Sequence, residues 1–368
     1  MKVVILAAAI LVFGCSDSLN EPTEDVSLDQ EFQTLAVLDT IGVELGDSTY
    51  MFGAIEAVTY DANGNIAVLD MAVGNLRIFS SSGEYIRTIG RRGNAPGEFQ
   101  RPLGMVLLGN GLLAVMDPWA EGLTGVAPDY AQTGVLIDIH SNVHMGMCAV
   151  DSSDIVALRV LESTPDNSGI PMMIGRYSMS KDPSVIYWQE DYSITSLEDI
   201  SGVMRDFSNL YWTADRNTGD VYIAPYEDNR YLVYRYSPEG VLLNTAELEV
   251  EQVLKTDQEI ADETAYLRAR LTALNGRDMG FDIEPYPDRR SITGLGVNGE
   301  GNLWVRRGTH DDAVLDLWTP EGELIQSYIV PGASLSWKFS FCPEGILACD
   351  GNPEYFQRVF TIENPVME

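Results

Sequence analysis

Lysine is almost missing from this chain: Lys2, Lys181, Lys255 and Lys338 are the whole complement. With 23 Lys plus Arg against 55 Asp plus Glu, the formal net charge is −32. A phosphate backbone is bound chiefly by Lys and Arg, so this balance argues against nucleic acid and favours solubility and cationic partners. Cysteine is scarce as well. Beyond Cys15 only Cys148, Cys342 and Cys349 remain, an odd number without metal-ligand spacing, so at least one lacks an intramolecular partner. Cys342 and Cys349 flank the turn of "CPEGILAC", where a hairpin would not set them opposite each other, and buried free thiols are the expectation. Long apolar runs are also lacking. After Phe13 no segment approaches the roughly 20 apolar residues that a membrane span needs.

What is present begins with Lys2, eleven apolar residues from Val3 to Phe13, then Gly14 and Cys15. One basic residue, a short apolar core and a small residue before the cut describe an export signal over residues 1–14. Residues 15–32 are polar and acidic, have little to bury, and read as a disordered tether. Fully extended, such a tether reaches at most about 55 Å, enough to hold a globular body clear of a membrane.

The rest of the chain repeats itself. "YDANGNIAVLD" joins a polar turn to a short apolar run, and "LGNGLLAVMD", "DSSDIVALR", "RNTGDVYIAP", "NGEGNLWVRR" and "PEGILACD" do the same. The runs start at Ile66, Leu113, Ile155, Val221, Leu303 and Ile346, at intervals of 47, 42, 66, 82 and 43 residues. Three intervals match the length of one propeller blade, and the two long ones hold insertions. Downstream hairpins recur as "LRIFSSSGEYIRTIG", "LVYRYSPEGVLLNTAEL" and "LDLWTPEGELIQSYIV". Inner hairpin plus outer hairpin makes four strands, so the fold class is all-β, a six-bladed β-propeller over 33–368. One insertion, 256–275, carries Thr256 and Glu259 in capping-box spacing and Ile260, Leu267, Leu271 and Leu274 on one helical face; it predicts an amphipathic helix between blades four and five. The other, about 188–210, reads as irregular and acidic.

"PLGMVLLGNGLLAVMD" and "VTYDANGNIAVLDMAVGNLRIFSSSGEYIRTIG" resemble NHL-type repeats, and the whole body resembles the six-bladed β-propeller lipoproteins of bacteria. That resemblance implies acylation of Cys15 and a lipid-anchored place in the bacterial cell envelope, periplasmic or surface-exposed. Residues 37–58 echo 86–106, with Thr40, Ile41 and Gly42 matching Thr88, Ile89 and Gly90. The first of these stretches therefore reads as an outer strand without a blade of its own, completing the last blade and closing the ring. "GRRGNAPGEF" falls between two blades, where glycines let the chain double back. It lacks the order of a phosphate-binding loop.

The repeat alignment also yields a candidate site. Asp70, Asp117, Arg159, Pro225, Arg307 and Asp350 end the second strand of successive blades, so their loops converge on one mouth of the channel. Asn75, Trp119, Tyr226, Arg230, His310 and Tyr355 lie around it. Aromatic, Arg and carboxylate groups at a concave mouth suit ligand binding, whereas each Asp taken alone is better read as bonding turn amides. His140, His144 and Cys148 lie four apart, but in a β-rich segment that spacing does not gather three metal ligands. The leading expectation is a monomeric, non-catalytic, cofactor-free binding module for an envelope protein, peptide or glycan. The rivals are a structural envelope scaffold and a lactonase-like hydrolase or lyase holding Ca²⁺ through Glu56, Asp70, Asp117 and Asp350. Fold alone does not choose among them.

Overall fold

The computed structural model describes residues 32–365 apart from 121, 138–142, 152, 161–169, 179, 181, 194, 276 and 352–355. Cys15, His140, Tyr355, the signal segment and nearly all of the tether lie outside the described residues.

Two short strands come first, β1 (Gln33–Thr34) and β2 (Val37–Ile41). Blade one follows as β3 (Ile55–Tyr60), β4 (Ile66–Asp70), β5 (Asn75–Phe79) and β6 (Tyr85–Ile89). Blade two is β7 (Gly104–Leu107), β8 (Leu113–Asp117), β9 (Gly122–Val126) and β10 (Gln132–Ile137). Blade three is β11 (Val143–Ala149), β12 (Ile155–Val160), β13 (Ile170–Tyr177) and β14 (Val185–Tyr192). Helix α1 (Leu197–Phe207) then leads into blade four: β15 (Tyr211–Ala214), β16 (Val221–Ala224), β17 (Tyr231–Tyr236) and β18 (Leu242–Leu248). Helix α2 (Asp257–Asn275) separates it from blade five: β19 (Ile292–Val297), β20 (Leu303–Arg307), β21 (Ala313–Trp318) and β22 (Leu324–Val330). Blade six uses β23 (Trp337–Cys342), β24 (Gly345–Asp350) and β25 (Val359–Ile362). The protein is a six-bladed β-propeller.

The apolar runs that mark the repeat are the second strands. Each is covered on both sides by neighbouring blades, so it carries no polar face. Along β4, Ile66 and Val68 pack against Leu347, Cys349 and Val359 of blade six. Ala67 and Leu69 pack the other way, against Met105, Leu107 and Val115 of blade two. Alternation along one strand thus supplies two inter-blade cores.

The ring closes as the echo of residues 37–58 and 86–106 predicts: β2 pairs antiparallel with β25 as the outer strand of blade six. The chain does something further that its pattern did not announce. β1 pairs in parallel with β22 and makes blade five a five-stranded sheet. Leu35, between β1 and β2, is buried in the core shared by blades five and six. The connector between β6 and β7 is architecture: Gly90, at φ +73°, lies under the Phe99 ring, and Arg91 pairs with Glu98 at 2.6 Å.

The expectation for 188–210 is corrected. β14 runs to Tyr192, and α1 opens on a capping box in which Ser196 Oγ accepts from the Asp199 amide while Asp199 accepts from the Ser196 amide. Asp in place of the usual Glu, in an acidic stretch, hid that signal.

Candidate functional site

Successive blades connect across one face of the ring, where each second strand also ends; the turns joining first to second strands lie on the opposite face. At the connecting face Asp70 pins loops. Its carboxylate accepts the amides of Gly53 (2.9 Å), Ala54 (3.1 Å), Ala72 (3.1 Å) and Val73 (3.2 Å), and Arg77 approaches at 3.4 Å. Asp117 likewise accepts the amides of Gln100, Arg101 and Trp119. Burial pushes the Asp117 carboxyl up, against the pull of those amides. Asp350 accepts from Ser336 Oγ (2.8 Å) and faces Arg358 at 3.9 Å.

Other residues expected at the mouth have partners of their own. Arg307 is buried between blades four and five, where its guanidinium donates to both oxygens of Asp316 at 2.6 and 2.7 Å. Ser327 Oγ and Tyr231 Oη donate to the same carboxylate. Arg159 is buried and ion-paired with Asp182 at 3.7 Å. Tyr226 is buried rather than a loop tip, and its hydroxyl donates to Glu190. Asn75 is buried at the head of β5. Trp119 is 38% exposed, with the Arg101 guanidinium 5.7 Å from its ring centre. Arg230 pairs with Glu247, and His310 rests half-buried against Thr309 Oγ1 and the Phe32 ring. Desolvation, helped by Arg307, pulls the His310 pKa down. Among the described residues, most of these side chains are engaged by partners of their own within or beside their blades.

Instead the inserted helix reaches the channel. Arg270 of α2 donates twice to Glu56 on β3, at 3.0 and 2.8 Å. The Glu56 charge, against the cost of burial, holds that guanidinium firmly protonated. Leu267 and Leu271 bury with Ile283 and against Met204 of α1. The side chain of Leu274 lies outside those described. Among the described residues no three His, Cys, Asp or Glu side chains could together hold a metal, so Glu56, Asp70, Asp117 and Asp350 do not converge as a ligand set.

The opposite end of the channel holds a recess of about 290 Å³. Met105, Met147, Trp212, Phe339 and Phe341 supply its apolar surface, and Asp215, Arg216, Asn217 and Asn298 edge it from the turns. Trp212 can lean inward because Gly146, at φ +63°, has no Cβ; one would stand 2.8 Å from the indole. Cys148 also lines the recess, with desolvation pushing its thiol up to about 12 and disfavouring the thiolate. Sequence reasoning missed this end. Its apolar residues sit on first strands, which carry no repeating mark, and although its polar edge belongs to the repeating turns, as in "RNTGDVYIAP" and "NGEGNLWVRR", the alignment drew attention to the other end of the second strands.

Comparison with protein families agrees with the fold. A family described as 6-bladed beta-propeller (DUF5128) matches residues 30–117. That stretch runs from the ring-closing strands through blade one to the end of β8. No curated protein matches the chain. Similar solved structures include a putative exported protein from Bacteroides fragilis, 10% identical, covering 89% of this chain and 95% of that one at a TM-score of 0.48. The calcium-binding protein regucalcin from Agrobacterium tumefaciens is 11% identical over 90% of this chain and 97% of its own, at 0.46. A gluconolactonase from Xanthomonas campestris is 10% identical over 89% and 98%, also at 0.46.

Proposed function

We propose that the protein is a non-catalytic binding module, anchored in a bacterial envelope through acylated Cys15, that captures a protein or peptide in the recess at the open end of its channel. The observation that carries this reading is the Arg270–Glu56 clamp, which commits the carboxylate of the first inner strand to the inserted helix. Asp70 and Asp117 are likewise spent on loop amides. What the channel leaves for a ligand at its other end is a concave surface of Met, Trp and Phe rimmed by polar turns, a composition that adapts to apolar side chains and orients them by a few hydrogen bonds.

Peptides selected from a displayed random library on the immobilised protein test it. They should lose about tenfold or more in affinity to Trp212→Ala, because a central Trp is a favoured hot spot, and keep their affinity for Arg91→Ala in a blade connector. Selected peptides indifferent to both Trp212→Ala and Arg216→Ala would contradict the site. For the anchor, Cys15→Ser should abolish detergent-phase partitioning while the propeller still folds; unchanged partitioning would remove the lipid from the account.

A further inference from the structure

Between blades three and four lies a second cavity, of about 340 Å³. Trp188 of β14 and Tyr234 and Tyr236 of β17 line it, and the two tyrosine rings stand 6.3 Å apart at 44°. Ile223 and Leu232 add apolar surface. The loop after β16 forms its rim with Glu227, Asp228 and Arg230. Arg230 is already ion-paired with Glu247, so the charge the rim offers a ligand is that of the exposed carboxylates of Glu227 and Asp228. The turn that carries them is fixed. Asp228 and Asn229 take left-handed φ values of 55° and 47°. Asn229 fixes that turn by accepting the Ser291 amide (2.7 Å) and donating to Gln252 Oε1 (2.7 Å) and the Arg289 carbonyl (2.9 Å).

We propose that this cleft binds a small organic cation of the trimethylammonium type. Ring faces carry the negative lobe of the aromatic quadrupole and attract such a cation when it is desolvated against them. The carboxylate rim adds attraction of the same sign, and a chain of net charge −32 raises the local concentration of any cation. A neutral saccharide would also stack on these rings but would gain nothing from the rim charge or the field. The site lies at an inter-blade flank, apart from the channel recess, and stands whether or not the recess binds peptide.

Calorimetric titration of the full chain with choline, and with its uncharged isostere 3,3-dimethylbutan-1-ol, tests the proposal. Choline should bind, and the isostere should bind about tenfold or more weakly, the ratio expected of a desolvated cation–π contact. Trp188→Ala should weaken choline by a similar factor. If that variant does not fold, Asp228→Asn and Glu227→Gln decide. Asn accepts the left-handed backbone at least as well as Asp, so Asp228→Asn removes charge and leaves the turn in place. The pair together should cost choline about tenfold with melting unchanged. Absence of choline binding, equal binding of the isostere, or a neutral oligosaccharide held equally by wild type and the Glu227→Gln/Asp228→Asn variant would overturn it.

Discussion

Gly64 and Gly90 have nearly the same backbone, φ +75° and +73°, and quite different surroundings. A Cβ at Gly64 meets nothing within 4 Å, whereas one at Gly90 would stand 2.6 Å from the Phe99 ring. Gly64→Ala should therefore cost only the left-handed backbone, about 1 kcal/mol. Gly90→Ala adds displacement of a buried ring at a blade connection, for a total of about 2–4 kcal/mol. Denaturant titration of the two variants checks the difference, and equal losses would mean that Phe99 does not pack as described. At this scale the sequence was only half legible. "GRRGNAPGEF" announces its turn through Gly and Pro, but Asp70 and Arg307 look alike as mouth residues in an alignment. Strand register and the partners across the blade interface separate them: Asp70 meets four amides, and Arg307 turns inward to Asp316. No one-dimensional pattern records which way a strand-end side chain turns.

Among the elements, α2 was predictable and its task was not. Its capping box forms as spaced: Thr256 Oγ1 accepts the Glu259 amide at 3.2 Å, and Glu259 accepts the Thr256 amide at 2.8 Å. The sequence contains the apolar stripe but not the surface it meets, and Arg270 off that stripe turned out to reach Glu56. Glu259 also receives Arg289 at 2.6 Å. Burial raises the Glu259 pKa, but the Thr256 amide and Arg289 outweigh it and hold the carboxyl below its ordinary 4.5. A depressed carboxylate stabilises above its unfolded pKa, and the contribution disappears as pH falls through the lower folded value. The start of α2 should accordingly loosen below about pH 4.5 before the blades unfold, and Glu259→Gln should show that loosening at neutral pH. Amide exchange across 257–263 measures it; protection independent of pH down to global unfolding would contradict the capping argument.

For the whole molecule, the repeat spacing set the fold because each second strand must be apolar on both faces, and that requirement leaves a mark every blade. Ring closure was legible through the echo of 37–58 in 86–106. The extra strand β1 was not, since two residues carry no periodicity. Deleting 34–48 removes β2 with its pairing to β25 and takes Leu35 from the core between blades five and six. It should expose a strand edge and bring aggregation or loss of cooperative unfolding, while deletion of 16–30 should leave melting unchanged. Equal tolerance of both would refute closure by β2. The central claim, that a ligand enters the recess while α2 stays clamped on Glu56, is tested most directly by amide hydrogen exchange with and without a library-selected peptide. The account predicts new protection at 215–217, 295–299 and 339–343, the turns and strand ends around the recess, with α2 and the 52–54 and 100–103 loops unchanged. Protection gained at α2 and the connecting loops, with the recess untouched, would contradict it.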